Sequence, residues 1–242
     1  MLYLIGLGLS DGDVSLKALD AMKKCDAIYC ELYTSHWMGD LNKLSKTIGK
    51  KIDVLERGKV ESEFLITDAK NKNVALLIPG DPLTATTHMQ LIMDAKKNNV
   101  QTEIIHASSI YTVIAESGLQ LYKFGRATTL AMPQQNYFPE SPYDVIAENR
   151  KMGLHTLVLL DIPTTARKGI EVLLELEDRK KKGIIRDNMI ACCRLGSTDK
   201  VIKCGNADSL IKDKELDAAP AVLLIPGKLH FAEEEALELW KN

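Results

Sequence analysis

Short apolar runs alternate with stretches of helical periodicity along almost the whole chain. Residues 2–7, 27–32, 51–55, 74–78 and 101–106 read as strands. Residues 14–24, 41–48, 63–71, 85–98 and 110–116 carry helical patterns. The first helix sets Leu16, Leu19 and Met22 on one face. The second is bracketed by Asp40 as a cap and Gly49 as a stop, and Gly118 is placed to end the last. Alternation of this kind predicts βαβ units and a mostly parallel sheet.

The pattern then changes. A strand over 126–132 is followed by an irregular segment, 133–142, which includes Asn136 and Tyr137. A loop of that length inside a compact protein is more often functional or mobile than incidental. Helices over 143–152 and 166–182 flank a strand over 155–161. Strands over 188–194 and 200–204 are separated by a turn and are candidates for antiparallel pairing. A short helix over 208–212, a strand over 221–225 and a helix over 232–241 complete the chain. The expected division is residues 1–108 and 109–242, two α/β domains with no low-complexity linker between them.

Composition narrows the class without naming a function. The 242 residues are 45% hydrophobic and 26% charged, with a net charge of -2. These are the values of an ordinary globular protein, and they give no global reason to expect nucleic-acid binding. No apolar run reaches the length of a membrane span, and the first run has neither the basic flank nor the length of a signal peptide. Five cysteines without a C-x-x-C suggest neither a disulfide framework nor a zinc site. Cys192 and Cys193 read as small buried residues. Reduced thiols fit a cytoplasmic protein.

Two strand-end loops carry the candidate chemistry. Val74 to Ile78 runs into Pro79-Gly80-Asp81-Pro82-Leu83-Thr84, which places a carboxylate and fresh backbone N–H groups at the carboxyl end of a strand. Open α/β sheets bind ligands there. Asp81-Pro82 is equally a plain helix start, because Asp caps helices and Pro suits their first position. Gly6-Leu7-Gly8-Leu9 closes the first strand as a Gly-x-Gly turn without the third glycine of a dinucleotide fingerprint. Its plainer reading is a tight turn with Asp13 as the helix cap. The histidines have no metal-binding spacing. His88 reads as structural, whereas His106 and His230 lie at strand ends and keep a ligand role open. The run Arg179 to Lys182 reads as a solvated helix end.

Taken in order, these landmarks resemble the diphthine synthases, methyltransferases of diphthamide biosynthesis in the tetrapyrrole methylase superfamily. The resemblance begins with Leu2-Tyr3-Leu4-Ile5-Gly6-Leu7-Gly8-Leu9 and continues through Pro79-Gly80-Asp81-Pro82-Leu83-Thr84-Ala85-Thr86-Thr87-His88 and His106-Ala107-Ser108-Ser109-Ile110-Tyr111. It resumes at Tyr122-Lys123-Phe124-Gly125, Gly153-Leu154-His155-Thr156-Leu157 and Leu160-Asp161-Ile162, and ends with Arg194-Leu195-Gly196-Ser197 and Pro226-Gly227-Lys228-Leu229-His230. Each landmark is weak alone, but the ordered set is specific.

The resemblance implies a two-domain fold with a mostly parallel N-terminal sheet, a mixed C-terminal sheet and a cofactor cleft between them. The cofactor it implies is S-adenosyl-L-methionine, leaving as S-adenosyl-L-homocysteine. The implied acceptor is the amino group of a modified histidine, 3-carboxy-3-aminopropyl-histidine, on translation elongation factor 2. It also implies a homodimer. Family cofactor contacts fall on Leu9, Asp81, Thr84, Ser109, Ile110, Leu160, Leu195 and His230. No metal and no direct nucleic-acid contact are expected. The chain departs from the family after Ile162, where its segment is shorter, at its short carboxyl-terminal stretch, and at Asn136-Tyr137, where Asn-Trp is common. The rival readings are a sister methylase acting on a corrin precursor or ribosomal RNA, and a non-catalytic adenine-nucleotide-binding module.

Overall fold

The computed structural model describes residues 1–135 and 137–241, so Asn136 of the expected irregular segment lies outside the described residues. The chain separates into two compact units, Met1–Tyr111 and the stretch from Thr112 onward.

The first unit is built on five parallel strands in the order β3-β2-β4-β1-β5. These are β1 (Leu2–Gly6), β2 (Ala27–Glu31), β3 (Asp53–Leu55), β4 (Val74–Ile78) and β5 (Thr102–Ile105). β4 is buried at every position, as a central parallel strand covered on both faces should be. Its side chains alternate. Ala75 and Leu77 join Ile5 and Leu7 against α1 (Leu16–Lys24) and α2 (Leu41–Ile48). Val74, Leu76 and Ile78 join Leu2 and Leu4 on the other face, under α3 (Arg57–Val60), α4 (Phe64–Ala69) and α5 (Met89–Lys97). α2 begins and ends at the expected signals: Asp40 accepts the Asn42 N–H at 2.8 Å, and Gly49 closes it with φ 69°.

Three local expectations are corrected. α1 buries Ala18, Ala21 and Met22, while Leu16 is 81% exposed. Met22 is fully buried and Leu19 packs against the same core, so only Leu16 departs from the expected face, and Ala18 and Ala21 complete it. α1 is capped by Ser15, whose hydroxyl accepts the Ala18 N–H at 3.1 Å; Asp13 instead folds back to accept from Leu9 and Ser10. α5 starts at Met89, not at 85, because Ala85 adopts a left-handed backbone with φ 56° and interrupts any helix running from Asp81.

The second unit carries a mixed sheet in the order β6-β7-β10-β8-β9. Its strands are β6 (Thr128–Leu130), β7 (Thr156–Leu160), β8 (Met189–Cys193), β9 (Val201–Gly205) and β10 (Ala221–Ile225). β6 and β7 are parallel; β10 runs antiparallel to both β7 and β8, and β9 antiparallel to β8. The chain enters this unit through α6 (Ile110–Val113) and a 3₁₀ turn closed by Gly118 with φ 93°. Its core joins these strands to α7 (Ser141–Lys151), α8 (Ala166–Lys180) and α9 (Ala207–Leu210), with Tyr143, Leu173 and Leu223 fully buried. α10 (Phe231–Leu237) is the last helix described. All five cysteines are free and buried, and burial pushes their thiols up, which leaves them as unreactive packing residues. Among the described residues, no helix is long and apolar enough to cross a membrane.

Candidate active site

The carboxyl ends of β1, β4 and β5 converge in the first unit. Gly8 and Gly80 face each other and exchange both backbone hydrogen bonds, Gly8 N–H to Gly80 O at 3.2 Å and Gly80 N–H to Gly8 O at 2.8 Å. Both have left-handed backbones, φ 67° and 72°, which an L side chain adopts only at a cost. Their surroundings differ. A Cβ on Gly8 would lie 2.1 Å from Asp13 Cβ, whereas one on Gly80 would meet nothing within 4 Å. Gly80 therefore presents bare backbone to an open side of the loop. β5 joins the same cluster, because a Cβ on Gly6 would touch Gly80 O, Ala107 Cβ and Pro82 Cδ together.

Asp81 is the polar centre of this cluster. It is 7% exposed. Its Oδ1 accepts the Leu83 N–H at 3.0 Å and the Thr84 hydroxyl at 3.2 Å; its Oδ2 accepts His106 Nδ1–H at 2.7 Å and the Ala107 N–H at 3.3 Å. Burial pushes its carboxyl up, but the bonds from Leu83, His106 and Ala107 outweigh burial, and the net shift is downward. Asp81 is thus held as a carboxylate. It organises a turn over Thr84 and ties β4 to β5, and it caps no helix.

The other family positions in this unit lie around it. Leu9 follows Gly8 directly; its N–H donates to Asp13 Oδ2 at 2.8 Å, and its carbonyl accepts the Met38 N–H at 3.2 Å. Ser109 is buried just before α6, and Ile110 opens that helix. Between His106 and Ser109, the Ser108 hydroxyl is buried without a hydrogen-bond partner among the described residues. It lies 2.9 Å from where a Gly8 Cβ would sit. An orphaned buried hydroxyl beside bare glycine backbone and a fixed carboxylate is a donor set suited to a polar, cationic small ligand. It fits a positively charged cofactor such as S-adenosylmethionine.

In the second unit, Leu160 ends β7, where a Cβ on Gly169 of α8 would come within 2.8 Å of its Cδ2. Leu195 is buried two residues past the end of β8, after Arg194, whose backbone is left-handed at φ 51°. β7 and β8 both run antiparallel to β10, so Leu160 and Leu195 lie at the same end of the strands, beside the start of β10. His230 lies beyond the other end, after β10 finishes. There its Nδ1 accepts the Ala232 N–H at 3.3 Å and caps α10. Within this unit, then, the sheet groups Leu160 with Leu195 and sets His230 apart.

His230 adjoins a network that the residues alone did not reveal. Glu233 is fully buried and accepts from Gln120 N–H and His155 Nε2–H, each at 2.9 Å, from His230 N–H at 2.8 Å and from the Lys123 ammonium. Burial opposes its charge, yet these four donors pull its carboxyl down to about 2. His155 is also fully buried. Its Nδ1 accepts the Gly227 N–H at 2.9 Å, so the ring carries its proton on Nε2 and is neutral. Burial lowers its basicity accordingly. His88 agrees with its structural reading: it is 2% exposed immediately before α5, 3.8 Å from the buried Glu31, and burial pushes its pKa down.

Comparison with known proteins places these arrangements in a family. The model of the Tetrapyrrole (Corrin/Porphyrin) Methylases matches residues 1–211. A diphthine synthase of Methanocaldococcus jannaschii is 46% identical over 98% of both chains, and one of Methanococcus maripaludis is 45% identical over the full length of both. The crystal structure of a putative diphthine synthase from Entamoeba histolytica superposes with a TM-score of 0.93 at 35% identity, over 100% of this chain and 98% of that one. A further diphthine synthase structure gives 0.91 at 34% identity, over 99% and 95%. The fold, the ordered landmarks and the end-to-end identity agree, and the chain belongs to the tetrapyrrole methylases and, among them, to the diphthine synthases.

Proposed function

We propose that this protein is an S-adenosylmethionine-dependent N-methyltransferase of diphthamide biosynthesis, and that its acceptor is the amino group of 3-carboxy-3-aminopropyl-histidine on translation elongation factor 2. The observation that carries the reading is identity of 45–46% to diphthine synthases over 98–100% of the chain. The loops of the first unit support it, since they combine bare backbone at Gly80, a fixed carboxylate at Asp81 and the orphaned Ser108 hydroxyl. In this reading Leu9, Asp81, Thr84, Ser109, Ile110, Leu160, Leu195 and His230 hold the cofactor in a cleft between the domains, and the enzyme works as a cytoplasmic homodimer.

When bound, S-adenosylmethionine supplies an electrophilic methyl group on a positively charged sulfur. The chain's task is to hold the acceptor amine in line with that methyl, and orientation of this kind supplies up to about 7–11 kcal/mol of a barrier. Asp81 contributes a negative charge that needs no reorganisation, because four donors already fix it. The test is methyl transfer to elongation factor 2 carrying the unmethylated adduct, read by mass spectrometry. The expected result is a gain of methyl mass on the modified histidine. No gain there, with transfer to a corrin precursor or ribosomal RNA instead, would move the chain to a sister activity. Cofactor binding without transfer to any of these would leave only a binding module.

A further inference from the structure

The Asp81–His106 pair has a geometry that cofactor binding alone does not require. The carboxylate is buried and bonded on both oxygens, while the His106 side chain is 67% exposed. Nδ1 lies 2.7 Å from Asp81 Oδ2, and a carboxylate can only accept. Nδ1 therefore carries a proton, and Nε2 is the ring nitrogen that Asp81 does not engage. Among the described histidines of this unit, His106 is the one joined to a carboxylate at hydrogen-bond distance. His88 stands 3.8 Å from its acid and is buried. Asp81 is a charged group in direct contact with the ring, with the Ala107 N–H beside it on the same oxygen. The pair stands at the carboxyl edge of the parallel sheet, next to the glycine turn.

This inference rests on the methyltransferase reading above. An alkyl ammonium has no lone pair, so each methylation of the acceptor must release one proton. We propose that His106 is the residue that takes it, a catalytic base oriented by Asp81. The acceptor ammonium first gives one proton to His106 Nε2, which passes it from the exposed ring to water. The freed lone pair on nitrogen then forms a bond to the methyl carbon as the carbon–sulfur bond breaks, with that bond's electron pair going to sulfur. Imidazole is the side chain most often used for proton transfer of this kind.

The discriminating variant is His106→Asn, whose side-chain amide can still donate to Asp81 but cannot take a proton. The expected result is turnover on adduct-bearing elongation factor 2 lowered about 100-fold near neutral pH. The deficit should shrink as pH rises and more of the amine is free, and added imidazole should restore part of the rate. Calorimetric affinity for S-adenosylhomocysteine should stay within about twofold of the parent. Unchanged turnover and an unchanged pH profile would overturn the inference, as would a loss of affinity matching the loss of turnover without rescue by pH or imidazole. If the unsubstituted protein transfers no methyl, the reading of its function falls instead. Nitrogen-15 NMR of the His106 ring then decides the pair independently: a proton on Nδ1 and a bare Nε2 are expected, and a proton on Nε2 would rule the assignment out.

Discussion

Each unit of this protein holds a buried carboxylate that accepts four hydrogen bonds, one of them from a histidine. In the second unit Glu233 is enclosed with His155, and both are fully buried. Every polar atom of that pair is committed inward, to Gln120, Lys123, Gly227 and the start of α10. In the first unit Asp81 is as well bonded, but its histidine is two-thirds exposed. The same chemical pair thus serves two ends. Where the ring is sealed, the hydrogen bonds stitch three loops of one unit together. Where the ring is open, the carboxylate fixes a tautomer and leaves a nitrogen for something outside. Exposure of the histidine, rather than the number of bonds to the acid, separates a structural pair from a working one.

The largest effect expected from this contrast is on stability, at the sealed pair. Glu233→Ala leaves the His155 N–H and two backbone N–H groups without their acceptor, and it removes the charged partner of the Lys123 ammonium, which keeps only the Lys228 carbonyl. Breaking a buried ion pair on one side costs about 3–5 kcal/mol. Urea denaturation should show a loss of that size. A loss under about 1 kcal/mol would mean that water replaces the carboxylate and that the pair is not structural. The pH dependence follows from the same site. The Glu233 carboxyl falls from an ordinary 4.5 to about 2 on folding. Its contribution is therefore fully present above about pH 4.5 and is lost as pH drops toward about 2, a difference of roughly 3 kcal/mol. Stability measured across that window should fall more steeply in the parent than in Glu233→Gln, and equal slopes would break the comparison.

The open pair should respond in binding more than in folding. Asp81→Asn removes the negative charge while keeping one acceptor oxygen for the Leu83 N–H. Affinity for S-adenosylhomocysteine, measured by calorimetry, should drop about ten- to hundredfold, or about 1.4–2.8 kcal/mol. The loss of stability should be smaller than that from Glu233→Ala. Unchanged affinity would remove Asp81 from the cofactor site and leave it as the organiser of a turn. Affinity and stability falling in proportion would erase the distinction between the two units.

The difference between the pairs also marks what the sequence could disclose. The parallel sheet was readable because β1 and β4 are continuous apolar runs bounded by Gly and Pro, and their burial on both faces is what such runs record. The antiparallel pairing of β8 with β9 was readable from the short turn between them. The Asp81 loop was legible as a place but not as a geometry. Asp before Pro is a good helix start, and nothing local announces that Ala85 turns left-handed and delays α5 to Met89. The one-turn helix α3 leaves no helical signal in the sequence, because Gly58 sits inside it and only Val60 is buried. The acid–histidine pairs were invisible for a different reason. Asp81 and His106 are 25 residues apart, and His155 and Glu233 are 78 apart. Only the packed sheets bring them together. The sequence marks His155 only within a family landmark, and it does not mark Glu233, since a glutamate in an amphipathic helix reads as a solvated residue.

The smallest expected effect separates the two glycines that hold the β1 and β4 loops together. Gly80→Ala meets no neighbour within 4 Å, so its cost is the left-handed backbone alone, about 1–2 kcal/mol. Gly8→Ala pays the same backbone term and also drives a methyl against Asp13 Cβ and the Ser108 hydroxyl. The Gly8 variant should therefore be the less stable of the two, by thermal denaturation. If the open side of Gly80 is where a ligand approaches the backbone, its new methyl should weaken S-adenosylhomocysteine binding by more than it weakens the fold. A Gly80→Ala protein that loses its expected stability yet binds the cofactor product as tightly as the parent would show that the space over Gly80 is solvent and not part of the site. The working half of the comparison would then rest on Asp81 and His106 alone.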